Sequence, residues 1–275
     1  MRNPEFPASP EQEKAPASRN VDRVLSLLDL FVRSPKPLSI TEISAALKVA
    51  RGTAYSMVES LVLHRYLCRL EDKRYALSYQ AFVLGQSYCL RYAELLPLRD
   101  TVNRTLCGSD CEQMVKSCNL YVIEPDCTLF ALIEAYSEPA TLWRQPSAAI
   151  SRRLLPWYAN AAGQVLAAFA SQAVRQVCAR QFPEAGAERY GLPAPDGLEA
   201  RFSQIRADGF SVDFSDYLHL NEVTLAAPVR NAAGEVAAAL CFTCHRDSYQ
   251  THPARLTSTI TNLGRVLSLG LGFRG

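Results

Sequence analysis

The 275-residue chain lacks most of what an enzyme or a membrane protein displays in its sequence. No apolar run approaches the roughly 18 residues needed to span a bilayer, so no membrane partner is expected. The opening MRNPEFPASPEQEKAPASRN has no apolar core of the kind an export signal carries. Its Pro, Glu, Ser and Ala content reads as a disordered tail over residues 1–20. A cytoplasmic protein is expected. Histidine is scarce, and His64, His219, His245 and His252 lie scattered. G-x-S-x-G, H-E-x-x-H and glycine-rich phosphate loops are missing. No catalytic residue, metal site or cofactor is expected. The net charge is only +2, so any nucleic-acid site has to be local.

Cysteine, by contrast, is plentiful. Nine cysteines without an export segment read as free thiols, and an odd number cannot pair completely. Two of them stand in CFTCH, which as a bare pattern is a haem-attachment signature. Side chains alternate along a strand, so Cys241 and Cys244 face opposite sides and cannot grip one haem or one zinc. The match is a coincidence.

Residues 21–80 read as a winged helix-turn-helix. Val21, Val24, Leu25, Leu28, Phe31 and Val32 recur at helical spacing until Ser34-Pro35-Lys36-Pro37. Ser39 and Glu42 then have the spacing of a capping box. After a tight turn a third helix carries Ala54, Met57, Val58 and Leu61 on one face and Arg51, Thr53, Tyr55, Ser56, Glu59 and Ser60 on the other. YLCRL and RYALS flank Glu71-Asp72-Lys73 as a hairpin, or wing. Nine basic residues here face six acidic ones, so this segment alone exceeds the charge of the whole chain. The expected partner is double-stranded operator DNA. Arg51, Thr53, Tyr55 and Ser56 would meet base edges and nearby phosphates in the major groove, while Arg69, Lys73 and Arg74 on the wing would hold flanking phosphates.

Residues 81–106 read as a helical linker with Phe82, Val83, Leu90, Leu95 and Leu98 apolar and Pro97 as an interruption. Such helices pack in dimers, and pairing doubles the phosphate contacts. From residue 107 to 275 strand pairs and helices mix, which indicates an α+β domain built on an antiparallel sheet. Helices are expected at about 160–170, 172–181, 197–208 and from Pro253, with strands at NLYVIE, TLFALIEA, GFSVDF, NEVTLAAPVRN and EVAAALCFTC. The last two strands each have one face of small or mildly polar residues: Thr224 and Ala226, then Ala237, Ala239, Cys241 and Thr243. Interiors are close-packed, so volume left beside hydroxyls points to a ligand pocket.

VDRVLSLLDLF, ITEISAALKVARGTAYSMVESL, RRLLPWYANAAGQVLAAF, IRADGFSVD and TLAAPVRNAAGEVAAAL together resemble the IclR-type bacterial transcriptional regulators over about Val21 to Gly272. The resemblance implies a winged helix-turn-helix dimer or tetramer with a GAF-like effector domain over residues 107–275, acting as repressor or activator. It implies an effector site in which Asn160, Ala161 and Ala162 offer a positive helix end to a carboxylic acid, with Asp213, Thr224, Cys241 and Thr243 as polar pocket residues. Trp157 and Tyr158 would line it for an aromatic acid. Tyr55-Ser56 departs from the basic pairs common in the family, so its operator preferences do not transfer. Two other readings stay open. Cys107, Cys111, Cys118 and Cys127 crowd into 21 residues and would suit a thiol-redox or metal-responsive regulator, and Cys241 would be the nucleophile of a GAF-type thiol enzyme.

Overall fold

The computed structural model describes residues 18–34, 36–106, 114–137, 154–182, 192–193, 197–215 and 221–275. These divide into two compact units, one ending at Ala93 and one beginning at Glu94.

The first unit contains α1 (Arg19–Arg33), α2 (Ile40–Leu47), α3 (Arg51–Leu63), the antiparallel hairpin β1 (Leu67–Arg69) and β2 (Tyr75–Leu77), and α4 (Tyr79–Cys89). Local chemistry sets the start of α2. The Ser39 hydroxyl accepts from the Glu42 amide at 3.3 Å, and the Glu42 carboxylate accepts from the Ser39 amide at 2.7 Å, which satisfies two amides a bare helix end would leave open. α2 stops where Lys48 turns left-handed at φ 53°. Leu27, Phe31, Ile43, Ala54, Val58, Leu61, Leu67 and Tyr75 close the core. The wing turns at Lys73, also left-handed at φ 63°, and Leu38 exchanges two backbone hydrogen bonds with Tyr75 of β2.

The stripe expected along α1 needs correction. Leu27 and Phe31 are buried, whereas Val21, Leu25 and Val32 are exposed. The linker needs the same correction, since Phe82, Val83 and Leu90 are exposed. Both helices therefore carry a second apolar face that the core of this unit does not use. Nor is the linker one helix: α4 gives way to 3-10 turns at Leu90–Tyr92 and Leu96–Leu98, with Pro97 inside the latter.

The second unit holds Leu95, Leu98 and Val102 in its interior, the last on α5 (Arg99–Leu106). Its sheet comprises β3 (Val115–Ile123), β4 (Thr128–Tyr136), β5 (Leu154–Pro156), β6 (Ser211–Asp213), β7 (Glu222–Arg230) and β8 (Val236–His245). All neighbours are antiparallel in the order β5-β4-β3-β8-β7-β6. The helices are α6 (Ala161–Phe169), α7 (Gln172–Gln181), α8 (Leu198–Asp208), α9 (Arg246–Thr251) and α10 (Pro253–Gly270). α6 packs on the Ala226 side of β7 and β8, while Gly264 of α10 packs against Ala227 of β7, whose side chain points to the other face.

The seat of α6 explains the small residues of β7 and β8. From Ala161 to Ala168 every residue of the helix is buried, in a cluster with Ala226, Ala239 and Cys241. Small side chains on both partners let helix and sheet approach closely. The volume read as unfilled along Ala226 and Ala239 is therefore occupied by α6, and any ligand space is confined to the polar ends of these strands.

Candidate DNA-reading surface and effector site

On α3 the inward face is Ala54, Val58 and Leu61, which turns Arg51, Tyr55 and Ser56 outward and leaves Thr53 half-buried. α2 is capped on both sides of its box, but α3 starts at Ala50 without a side-chain cap. Its first turn keeps a positive end suited to a phosphate. Arg69 and Lys73 stand exposed on the wing. Arg74 does not stand free beside them. Its Nη1 donates to the Glu42 carboxylate at 2.9 Å and to the Pro37 carbonyl at 3.0 Å. Hydrogen bonds from Ser39, aided by Arg74, hold the Glu42 carboxyl below its ordinary range. Arg74 thus clasps the wing to the start of α2, a role its place beside Lys73 does not reveal.

In the second unit the strand register assembles a polar row. Asp213 of β6 is opposite Thr224 of β7, Thr224 opposite Thr243 of β8, and Thr243 opposite Ser117 of β3. Direct cross-strand partners share a face, here the face covered by α6. The next row inward is Ser211, Ala226, Cys241 and Asn119. Asn160 caps α6, accepting from the Gly163 amide at 3.1 Å, and the Thr224 hydroxyl accepts from the Ala161 amide at 2.9 Å. The Ala162 amide bonds to the Cys241 sulfur. Two of the three amides expected to greet a carboxylate, those of Ala161 and Ala162, are thus already satisfied within the chain. A carboxylate at this helix end would have to displace Thr224 or Cys241, so the hydroxyls of the polar row are the freer donors.

Cys241 is fully buried, and burial pushes its thiol well above the usual range. A thiol held protonated is a poor nucleophile, which counts against the thiol-enzyme reading. Cys244 donates instead to the Val223 carbonyl, and the strand runs unbroken through His245. CFTCH is a stretch of sheet. Trp157 and Tyr158 also require correction. Trp157 is fully buried, its indole N–H donates to the Cys178 carbonyl at 3.0 Å, and its ring packs on Tyr158, Phe182 and Phe202. Both rings belong to the core rather than to a ligand-facing wall.

The sequence reading missed Gln164. Ser211 donates to its carbonyl at 2.8 Å, and its amide donates to Asp213 at 3.2 Å. Ser215 adds hydroxyl and backbone donors to the same carboxylate, and Arg201 reaches Ser211 at 3.2 Å. Even so, burial dominates and pushes Asp213 up to about 6. A lone Gln inside AAGQVLAAF was the available signal, as was Asn119 between Cys118 and Leu120.

Of the cysteine cluster, Cys107 and Cys111 lie outside the described residues. Cys118 is buried on β3, and Cys127 sits in the turn beyond the other end of that strand. Among the described residues no group of three or more His, Cys, Asp or Glu side chains could hold a metal, and no helix is long and apolar enough to cross a membrane.

The profile of the IclR helix-turn-helix domain matches residues 20–71, and that of the bacterial transcriptional regulator IclR C-terminal domain matches residues 113–269. The chain belongs to the IclR family. The family consists of DNA-binding transcriptional regulators, not enzymes. The HTH-type transcriptional regulator XynR of Escherichia coli K12 is 27% identical over 267 residues, covering 94% of this chain and 99% of its own. IclR of Thermotoga maritima shares the fold with a TM-score of 0.70 at 16% identity, over 92% of this chain and 98% of that one. An IclR homologue of Microbacterium hydrocarbonoxydans, solved with 4-hydroxybenzoate, has a TM-score of 0.67 at 20% identity, over 92% and 97%.

Proposed function

We propose that this IclR-family regulator binds operator DNA through α3 and the wing, and that a small carboxylic acid, aromatic in class, controls that binding. The polar row Asp213–Thr224–Thr243–Ser117 beneath the start of α6 carries the effector part of this reading. A related fold crystallised with 4-hydroxybenzoate supports an aromatic acid. A thermal-shift panel of aromatic, 2-oxo and sugar acids tests it. At a hundred times its dissociation constant an effector stabilises the native state by about 2.7 kcal/mol. Thr243→Val should abolish that shift while leaving the unliganded melting temperature nearly unchanged. A shift that persists in the variant places the ligand elsewhere.

For the DNA reader, Arg51→Ala should weaken a specific operator by about 1–3 kcal/mol, measured by fluorescence anisotropy at fixed salt. Unchanged affinity would remove Arg51 from base readout. Arg69 and Lys73 are assigned to phosphates, with Thr53, Tyr55 and Ser56 beside Arg51 on the reading face. The working protein is a cytoplasmic homodimer or tetramer. An apolar groove lined by Leu28, Val32, Tyr66, Leu77, Tyr79 and Phe82 supports pairing through α1 and α4.

A further inference from the structure

We infer that Cys127 and Cys178 are a reversible disulfide site, closed by a peroxide-class oxidant. Their sulfurs lie 3.1 Å apart although the residues are 51 positions apart in sequence. One sits in the turn between β3 and β4, the other on α7. Both are free thiols in the reduced chain, buried in one cluster with Trp157 and Phe182. Closure to a disulfide needs the sulfurs to approach by only about 1 Å more. No charged or metal-binding group intervenes, and no other described function uses the pair.

The geometry also assigns roles. Cys178 donates its S–H to Cys127, and that hydrogen bond holds the Cys127 thiol below its ordinary range. Cys127, the acceptor of that hydrogen bond and the sulfur that sits in the turn, is assigned as the attacking one. It sits at φ 60° in the turn between β3 and β4 and is buried, so oxidation requires that turn to open locally to a small neutral oxidant. Its thiolate attacks one oxygen of hydrogen peroxide, giving a sulfenic acid and releasing water once the leaving hydroxide takes the thiol proton. Cys178 then attacks the sulfenic sulfur and expels a second water. Two thiols lose two electrons and two protons, and one peroxide becomes two waters. The new bond ties the β3–β4 turn to α7, whose Cys178 carbonyl holds the Trp157 indole three residues before the cap of α6.

The test uses the reduced full-length protein, titrated with hydrogen peroxide, quenched with an alkylating agent and digested without reductant. Mass spectrometry should recover the Cys127 and Cys178 peptides joined, lighter by two hydrogens and separated again by dithiothreitol. The oxidised protein should melt several degrees higher, a gain lost on reduction. In Cys178→Ser the link cannot form while the hydroxyl keeps a donor toward Cys127, which should instead be trapped as a sulfenic acid by dimedone. Two results overturn the assignment. One is recovery of both cysteines alkylated at oxidant levels that consume the other thiols. The other is a cross-link that appears only in urea.

Discussion

Replacing Gly163 by alanine is expected to destabilise the C-terminal unit by about 3 kcal/mol or more, at or beyond the upper end of ordinary overpacking. An added Cβ would land on the Trp157 carbonyl, with the Trp157 Cα and carbonyl carbon close behind. These are backbone atoms, and they cannot swing aside as the tip of a side chain can. The segment is also held by the indole bond to Cys178, so relief would mean lifting α6 from the sheet or breaking the Trp157 cluster. Gly85 supplies the control. It lies inside α4 with nothing within 4 Å of the added atom, so Gly85→Ala should be neutral or stabilise by about 0.5–1 kcal/mol. Urea denaturation of both variants decides the matter. Equal midpoints would mean that α6 and Trp157 are less tightly apposed than described.

The second large effect is a loss of stability as pH rises. Asp213 has a folded-state pKa of about 6 against an ordinary 3.8, because burial outweighs the donors around it. The folded state therefore holds this proton more tightly than the unfolded chain does. Stability contributed by the protonated form is complete below about pH 4, declines as pH climbs, and is gone above about pH 6. Roughly two pKa units correspond to about 3 kcal/mol. Asp213→Asn removes this titration, so the difference in unfolding free energy between the two proteins should change by about that amount between pH 4 and pH 7. A parallel pair of stability curves would show that Asp213 titrates normally. An anionic effector over Thr224 and Thr243 would favour the protonated carboxyl, so its affinity should strengthen below pH 6.

What the sequence revealed was local. The Ser39–Glu42 box and the start of α6 at Asn160 each depend on residues within a few positions, and each stands where the sequence places it. Side-chain faces were less legible. α1 and α4 are apolar around much of their circumference, so periodicity marks them as helices without telling Leu27 from Leu25. β5 and α9 are three and six residues long, too short for a pattern to emerge. Of the polar row, Thr224, Thr243 and Asp213 were found by alternation and resemblance. Ser117 was missed because Lys116 interrupts the apolar pattern of β3, its charge being met by Glu222 at 2.7 Å. Gln164 to Ser211, 47 residues apart, and Cys127 to Cys178 exist only once the sheet and helices have packed.

The close seat of α6 also bears on how such a regulator changes its ligand over evolutionary time. The alanines that bed the helix onto β7 and β8, and the glycine that seats it against the Trp157 backbone, leave little room for larger substitutes, so mutation there costs stability first. Along the polar row, Thr224 and Asp213 are tied to α6 through Ala161 and Gln164, whereas positions 243 and 117 carry hydroxyls that make no hydrogen bond to the helix and are the ones a polar exchange would disturb least. If the proposed effector sits on this row, drift in its choice would fall mainly on those positions, while the platform beneath them stays constant.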